Sequence, residues 1–107
     1  LNEKKIVIKR HTDGKTNVLA VADSELIGKT LTDGKITFRV SKTFYHDENV
    51  SEKELETILE EADNINLIGK NCIDVAMKKG IVSKKGIILI SDIPHAQVYK
   101  LNPGREY

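Results

Sequence analysis

SEKELETILEEADNINLIGKNCIDVAMKKG, residues 51–80, is the stretch whose reading decides the fold. Ser51 stands three residues before Glu54, the spacing at which a hydroxyl and a carboxylate satisfy the first free amides of a helix reciprocally. Leu55, Ile58, Leu59 and Ala62 then recur at helical spacing and form one apolar stripe, with Glu52, Glu56, Glu60 and Glu61 on the other side. Asp63 and Asn64 favour local side-chain bonds over continued helix, which closes a helix over 51–63. Asn64-Ile65-Asn66-Leu67-Ile68 alternates polar and apolar, so it is a short strand or an extended link, and Gly69 marks a turn. A second helix fits 70–79, with Cys72, Ile73, Val75, Ala76 and Met77 toward a core. Its last turn carries Lys78 and Lys79, which complement the helix dipole, and Gly80 is the expected cap.

Outward from that centre, the flanks read as strands. KKIVIK (4–9) alternates, Asp13-Gly14 carries hairpin chemistry, and NVLAVA (17–22) is apolar enough for a central strand. Asp23 or Ser24 is placed to cap a single helical turn stopped by Gly28. Asp33-Gly34 precedes the strand KITFRV (35–40), and 41–50 reads as a loop. After the helices, IILI (87–90) is the most buried-looking strand, 91–94 breaks it, and AQVYKL (96–101) is the last one. The expectation is an α+β fold: a mostly antiparallel or mixed sheet of about five strands, with the helices 51–63 and 70–79 packed on one face. Residues 1–107 form a single domain, with 102–107 a loose tail.

With 107 residues and a formal net charge of +1, the chain is long enough to bury a core without a staple. Its one cysteine excludes an internal disulfide and fits a reducing compartment. No apolar run reaches membrane-spanning length and no secretory signal is read at the start, so a cytoplasmic location and no membrane partner are expected. The near-zero net charge hides segregation. Residues 47–63 hold eight acids against Lys53, whereas 1–46 and 64–107 are each net basic by four. This describes an acidic helix face on a basic body.

Nucleophile and metal signatures are weak. Gly28-Lys29-Thr30 resembles the end of a phosphate loop, but Asp23 stands where that pattern needs its first Gly. Gly69-Lys70 opens a helix, where free amides would favour an anion. His11, His46 and His95 have no ligand-like spacing, so no metal and no cofactor are implied. Cys72 reads as a small core hydrophobe. Pro94 holds His95 at a rigid strand entrance, and Gln97 points to the same face two residues on. His95 is the weak catalytic candidate; capping of local backbone accounts for it equally well.

Leu26-Ile27-Gly28-Lys29, Phe44-Tyr45 before the acidic helix, Ala62 with Ile65-Asn66-Leu67-Ile68-Gly69, Ala76 with Gly80, and Pro94-His95-Ala96-Gln97 occur in one order along nearly the whole chain. Together they resemble an archaeal family of unknown function catalogued under number 424. The resemblance implies a small stand-alone archaeal cytoplasmic protein with no established activity. Many members have Gly after the Phe-Tyr pair, where this chain has His46.

The functional expectation is a non-enzymatic RNA- or ribonucleoprotein-binding module linked to translation. Lys29, Arg39, Lys42 and Lys70 are the expected phosphate contacts, and Tyr45 the stacking group. Gln97, Asn66, His95 and Gly69 complete the binding candidates. Two alternatives stand beside it. One is an enzyme with His95 as acid or base, and the other an adaptor docking a basic protein through Glu56, Glu60 and Glu61.

Overall fold

The structure, a computed structural model, describes residues 3–100. β1 (Ile6–Asp13) and β2 (Thr16–Asp23) pair antiparallel from Ile6 opposite Asp23 to Asp13 opposite Thr16. Gly14, at φ 61, takes the first central position of their two-residue turn, where a positive φ matches the twist of the strands. A single 3-10 turn, Ser24–Leu26, leads into a second hairpin, β3 (Thr30–Asp33) and β4 (Ile36–Arg39). Then follow α1 (Lys42–Tyr45), β5 (Glu48–Val50), α2 (Glu52–Glu61), β6 (Asn64–Ile68), α3 (Lys70–Lys78), β7 (Ile88–Ile90) and β8 (Ile93–Tyr99).

The main sheet has six strands in the order β5-β1-β2-β6-β8-β7. Only β2 and β6 run parallel, Leu19 to Ala22 against Ile65 to Ile68, so the sheet is mixed. The alternation in NINLI resolves as a central strand rather than a link. One face of the sheet (Ile6, Ile8, Leu19, Val21, Ile65, Leu67, Ala96) is covered by α2 and α3 through Leu55, Leu59, Cys72, Ile73, Val75 and Ala76. Leu55 and Leu59 are fully buried, and each such side chain stabilises the fold by roughly 1.5–3 kcal/mol. The opposite face (Val7, Ala20, Ala22, Ile68) packs against the β3–β4 hairpin and α1 through Leu31, Val40 and Tyr45. The result is an α+β fold with both main helices on one side.

The helix ends follow the sequence. Glu54 N donates to Ser51 Oγ at 3.1 Å and Ser51 N to Glu54 Oε1 at 3.0 Å, closing the expected capping box. Those bonds hold the Glu54 carboxyl below its ordinary range. The far end of α2 has no glycine; Lys100 Nζ reaches the Glu60 carbonyl at 3.1 Å instead.

Several expectations are corrected. KITFRV does not join the main sheet, because it pairs with TLTD in a separate hairpin across that sheet. The loop expected over 41–50 contains α1, whose start is capped by Ser41 Oγ accepting from Phe44 N, and the edge strand β5. Asp23 does not cap the 3-10 turn that follows it. IILI is not the most buried strand: β7 lies at the sheet edge, with Ile88 and Leu89 55% and 60% exposed. Unbroken apolarity there reflects an unprotected edge rather than two covered faces. Residues 91–94 do not end the sheet either. Ser91 and Asp92 form the hairpin turn, and Ile93 and Pro94 already belong to β8. Proline is accommodated there because it stands at the end of the β6 ladder. The Gly69 carbonyl that a backbone amide would meet accepts from Ile73 N as the first bond of α3. The two Leu-Ile-Gly-Lys copies fold differently, one entering a hairpin and the other a helix. The tail expected at 102–107 lies outside the described residues.

Candidate functional site

The side of the sheet facing the β3–β4 hairpin carries the polar residues. Register places Asn64 opposite Tyr99, Asn66 opposite Gln97 and Ile68 opposite His95. Because side chains alternate along a strand, all six share one face. The hairpin and α1 cover its upper part and leave Gln97 and Tyr99 exposed, Tyr99 at 62%. A row of hydrogen bonds crosses the strands. Tyr45 Oη donates to Asn66 Oδ1 at 2.5 Å, Asn66 Nδ2 to Gln97 Oε1 at 3.0 Å, and Gln97 Nε2 to Asn64 Oδ1 at 2.8 Å. The row ends at a cleft of about 440 Å³ between the β1–β2 hairpin, the end of α2 and Tyr99. Its charged and polar wall includes Arg10, Lys15, Asn64, Glu61 and Asp63.

Tyr45 is not a stacking platform. It is 2% exposed, its ring stands edge-on to Phe44 at 4.9 Å, and burial pushes its phenol pKa far up. The ring held toward solvent on this face is Tyr99, two residues beyond Gln97 on β8. The alternation Gln97-Val98-Tyr99 could have found it in the sequence.

His95 is half-buried. Its Nδ1 donates to the Leu67 carbonyl at 2.7 Å and its ring tilts against Phe38 at 5.0 Å. Burial holds its pKa below the ordinary value, partly countered by that carbonyl. The geometry gives His95 a structural task, fastening β8 to β6.

Lys29, Arg39 and Lys42 gather at the open end of the β3–β4 hairpin: the Lys29 carbonyl accepts from Val40 N at 2.9 Å, and Arg39 pairs with Thr30. With Lys35 they are four cations whose side chains have no partner among the described residues, set against Asp33. Lys70 is not with them. It sits on α3 and pairs with Asp74 at 2.9 Å. Asn66 and Gln97 are brought into contact, as the shared face implied.

The helix start after Gly69 is not a vacant anion site. Asp23 is 2% exposed, and its carboxylate accepts from Asn71 N at 2.9 Å and Cys72 N at 3.0 Å. Burial raises its pKa, and the two amides offset only part of that rise. Nothing local in the sequence linked Asp23 to a helix 48 residues on. The buried Cys72 thiol is pushed well above its ordinary pKa, chiefly by desolvation, which suits a core residue rather than a nucleophile. Glu60 pairs with Lys79, while Glu56 and Glu61 face solvent. Among the described residues no three His, Cys, Asp or Glu side chains gather as metal ligands, and no helix is long and apolar enough to cross a membrane.

The family model described as "Protein of unknown function (DUF424)" matches residues 10–101. The chain belongs to that family. This DUF424 member has the fold of a crystal structure of an uncharacterized conserved protein from Methanopyrus kandleri. The two are 24% identical with a TM-score of 0.74, covering 95% of this chain and 98% of the other. At that identity the likeness concerns the fold alone. A comparison with curated proteins finds no match. The polar face, the cleft and the hairpin cations of this DUF424 chain are therefore read from its own residues.

Proposed function

We propose that this protein is a non-enzymatic module of the archaeal cytoplasm that binds single-stranded RNA or a ribonucleoprotein in translation. The observation supporting this reading is a set of four cations, on one side of the sheet, whose side chains have no partner among the described residues. The β3–β4 hairpin and its flanks, α1 included, carry these four, Lys29, Lys35, Arg39 and Lys42, on the side of the amide row and Tyr99. The carboxylates of α2 lie on the other side, together with Lys70, Lys78 and Lys79 of α3 and its end. Unpaired cations contact phosphates, while an exposed ring and flanking amides meet unstacked bases. The acidic side, with Glu56, Glu60 and Glu61, is suited to a basic protein of the same particle.

Fluorescence anisotropy on a labelled single-stranded RNA across a salt series tests this reading. Binding should weaken with salt, and replacing Lys29, Arg39 and Lys42 together by Ala should lower the slope of log K against log salt by about 2, at roughly 0.7 per phosphate contact. No binding at low salt, or a slope unchanged in the triple variant, rejects it. Sequencing RNA recovered with the protein would show whether ribosomal species dominate, as a translation role requires.

A further inference from the structure

The amide row has a direction. The Tyr45 hydroxyl begins it as a donor, Asn66 and Gln97 each accept on oxygen and donate on nitrogen, and Asn64 accepts at the end. Turning the row around would make the Tyr45 oxygen accept from Asn66. The hydroxyl hydrogen of a residue 2% exposed would then lose its acceptor, a cost the observed direction avoids. Burial also keeps this phenol protonated, so it remains a donor. The consequence falls at the far end, where Asn64 Oδ1 is engaged and Asn64 Nδ2 has no partner among the described residues. Asn64 lines the cleft beside Tyr99, its direct cross-strand neighbour, and Lys15 lines the same cleft.

We propose that this cleft reads a keto-bearing base of single-stranded RNA, uracil or guanine. Asn64 Nδ2 donates to the base carbonyl, Tyr99 supports the base ring, and Lys15 meets the adjoining phosphate. The inference rests on the RNA reading above and adds to it a preference at one position. An amino group at the same place on the base, as in cytosine or adenine, meets Asn64 donor to donor and is disfavoured. Tyr45 is a positioning residue, acting through Asn66 and Gln97 on the atom that Asn64 presents.

The test compares labelled octamers of uridine and of cytidine by anisotropy, with the wild type, Asn64→Asp and Tyr45→Phe, each checked for folding by a melting curve. The wild type should favour oligo(U) by about ten-fold, the worth of one hydrogen bond against an unmatched donor. Asn64→Asp replaces the donor by an acceptor and should abolish or invert the ratio. Tyr45→Phe frees the row to turn over and should bring the ratio toward one. If Tyr45→Phe does not fold, Asn64→Asp still decides. Equal binding of both octamers by the wild type, or a uridine preference surviving Asn64→Asp, overturns base reading and leaves the RNA reading standing. Failure to bind either octamer at low salt removes both.

Discussion

A β-carbon placed on Gly69 would lie 2.3 Å from Cγ of Asp23. The two residues meet because the parallel strands β2 and β6 end side by side, one in the carboxylate that receives the amides of α3 and the other in the turn that starts it. Gly69 also holds φ 122, where a side chain is strained whatever the space. Gly69→Ala should therefore destabilise by about 3 kcal/mol or more. Gly80→Ala, at φ 71 with open space around it, should cost only about 1 kcal/mol. Asp23→Ala removes the two nearest atoms, Cγ and Oδ1, while leaving Cβ at 2.7 Å, and strands two amides, so the double variant should cost less than the sum of the singles. Urea titrations of the four proteins measure this; additivity would show that the contact does not govern Gly69.

The capping box gives a cleaner number. Ser51→Ala should cost about 1 kcal/mol, read from the same titrations, because the first turn of α2 loses a side-chain acceptor. Ser51→Asp should retain most of the stability.

His95 gives stability a pH dependence. Its folded pKa lies below the ordinary 6.5, so protonation is disfavoured in the fold. Its contribution is complete above the unfolded value and is lost as pH falls through the folded one. Denaturation midpoints should decline for this reason as pH falls below about 6.5, and His95→Gln should flatten that part of the profile. An unchanged profile in the variant would assign the decline to other groups.

Ser91 and Asp92 both hold positive φ, 51 and 66, in the turn between β7 and β8. The bond from Ser91 N to Asp33 Oδ2, 3.1 Å long, uses the backbone and survives side-chain replacement. Ser91→Gly should therefore stabilise by about 0.5–1 kcal/mol, visible as a raised melting temperature.

What was legible in the sequence was whatever depends on neighbours along the chain. The capping box at Ser51, both main helices, the Asp13-Gly14 hairpin and the shared face of His95 and Gln97 follow from spacing alone. What was hidden depends on contacts across the fold. IILI reads as buried because composition does not say whether a strand has neighbours on both edges. Tyr45 reads as a free ring because nothing nearby shows that Asn66 will take its hydroxyl. Asp23 reads as the cap of its own turn, since the amides it serves are brought to it only when two strands align. The candidate site was half visible: its amides were found, while Tyr99 and the terminal donor of Asn64 emerged from the register of β6 and β8.

The single parallel ladder has a kinetic meaning. β5, β1 and β2 come from the first half of the chain and β6, β8 and β7 from the second, and within the sheet the halves pair only where Leu19 to Ala22 meet Ile65 to Ile68. The β1–β2 and β7–β8 hairpins can zip locally, whereas this seam joins the most distant pair of strands in the sheet, a little farther apart along the chain than β1 and β5. Val21→Ala and Leu67→Ala should therefore slow refolding in stopped-flow experiments, while Val50→Ala on the outer strand should mainly hasten unfolding. A protein assembled this way has its rate set at its centre and its durability at its rims.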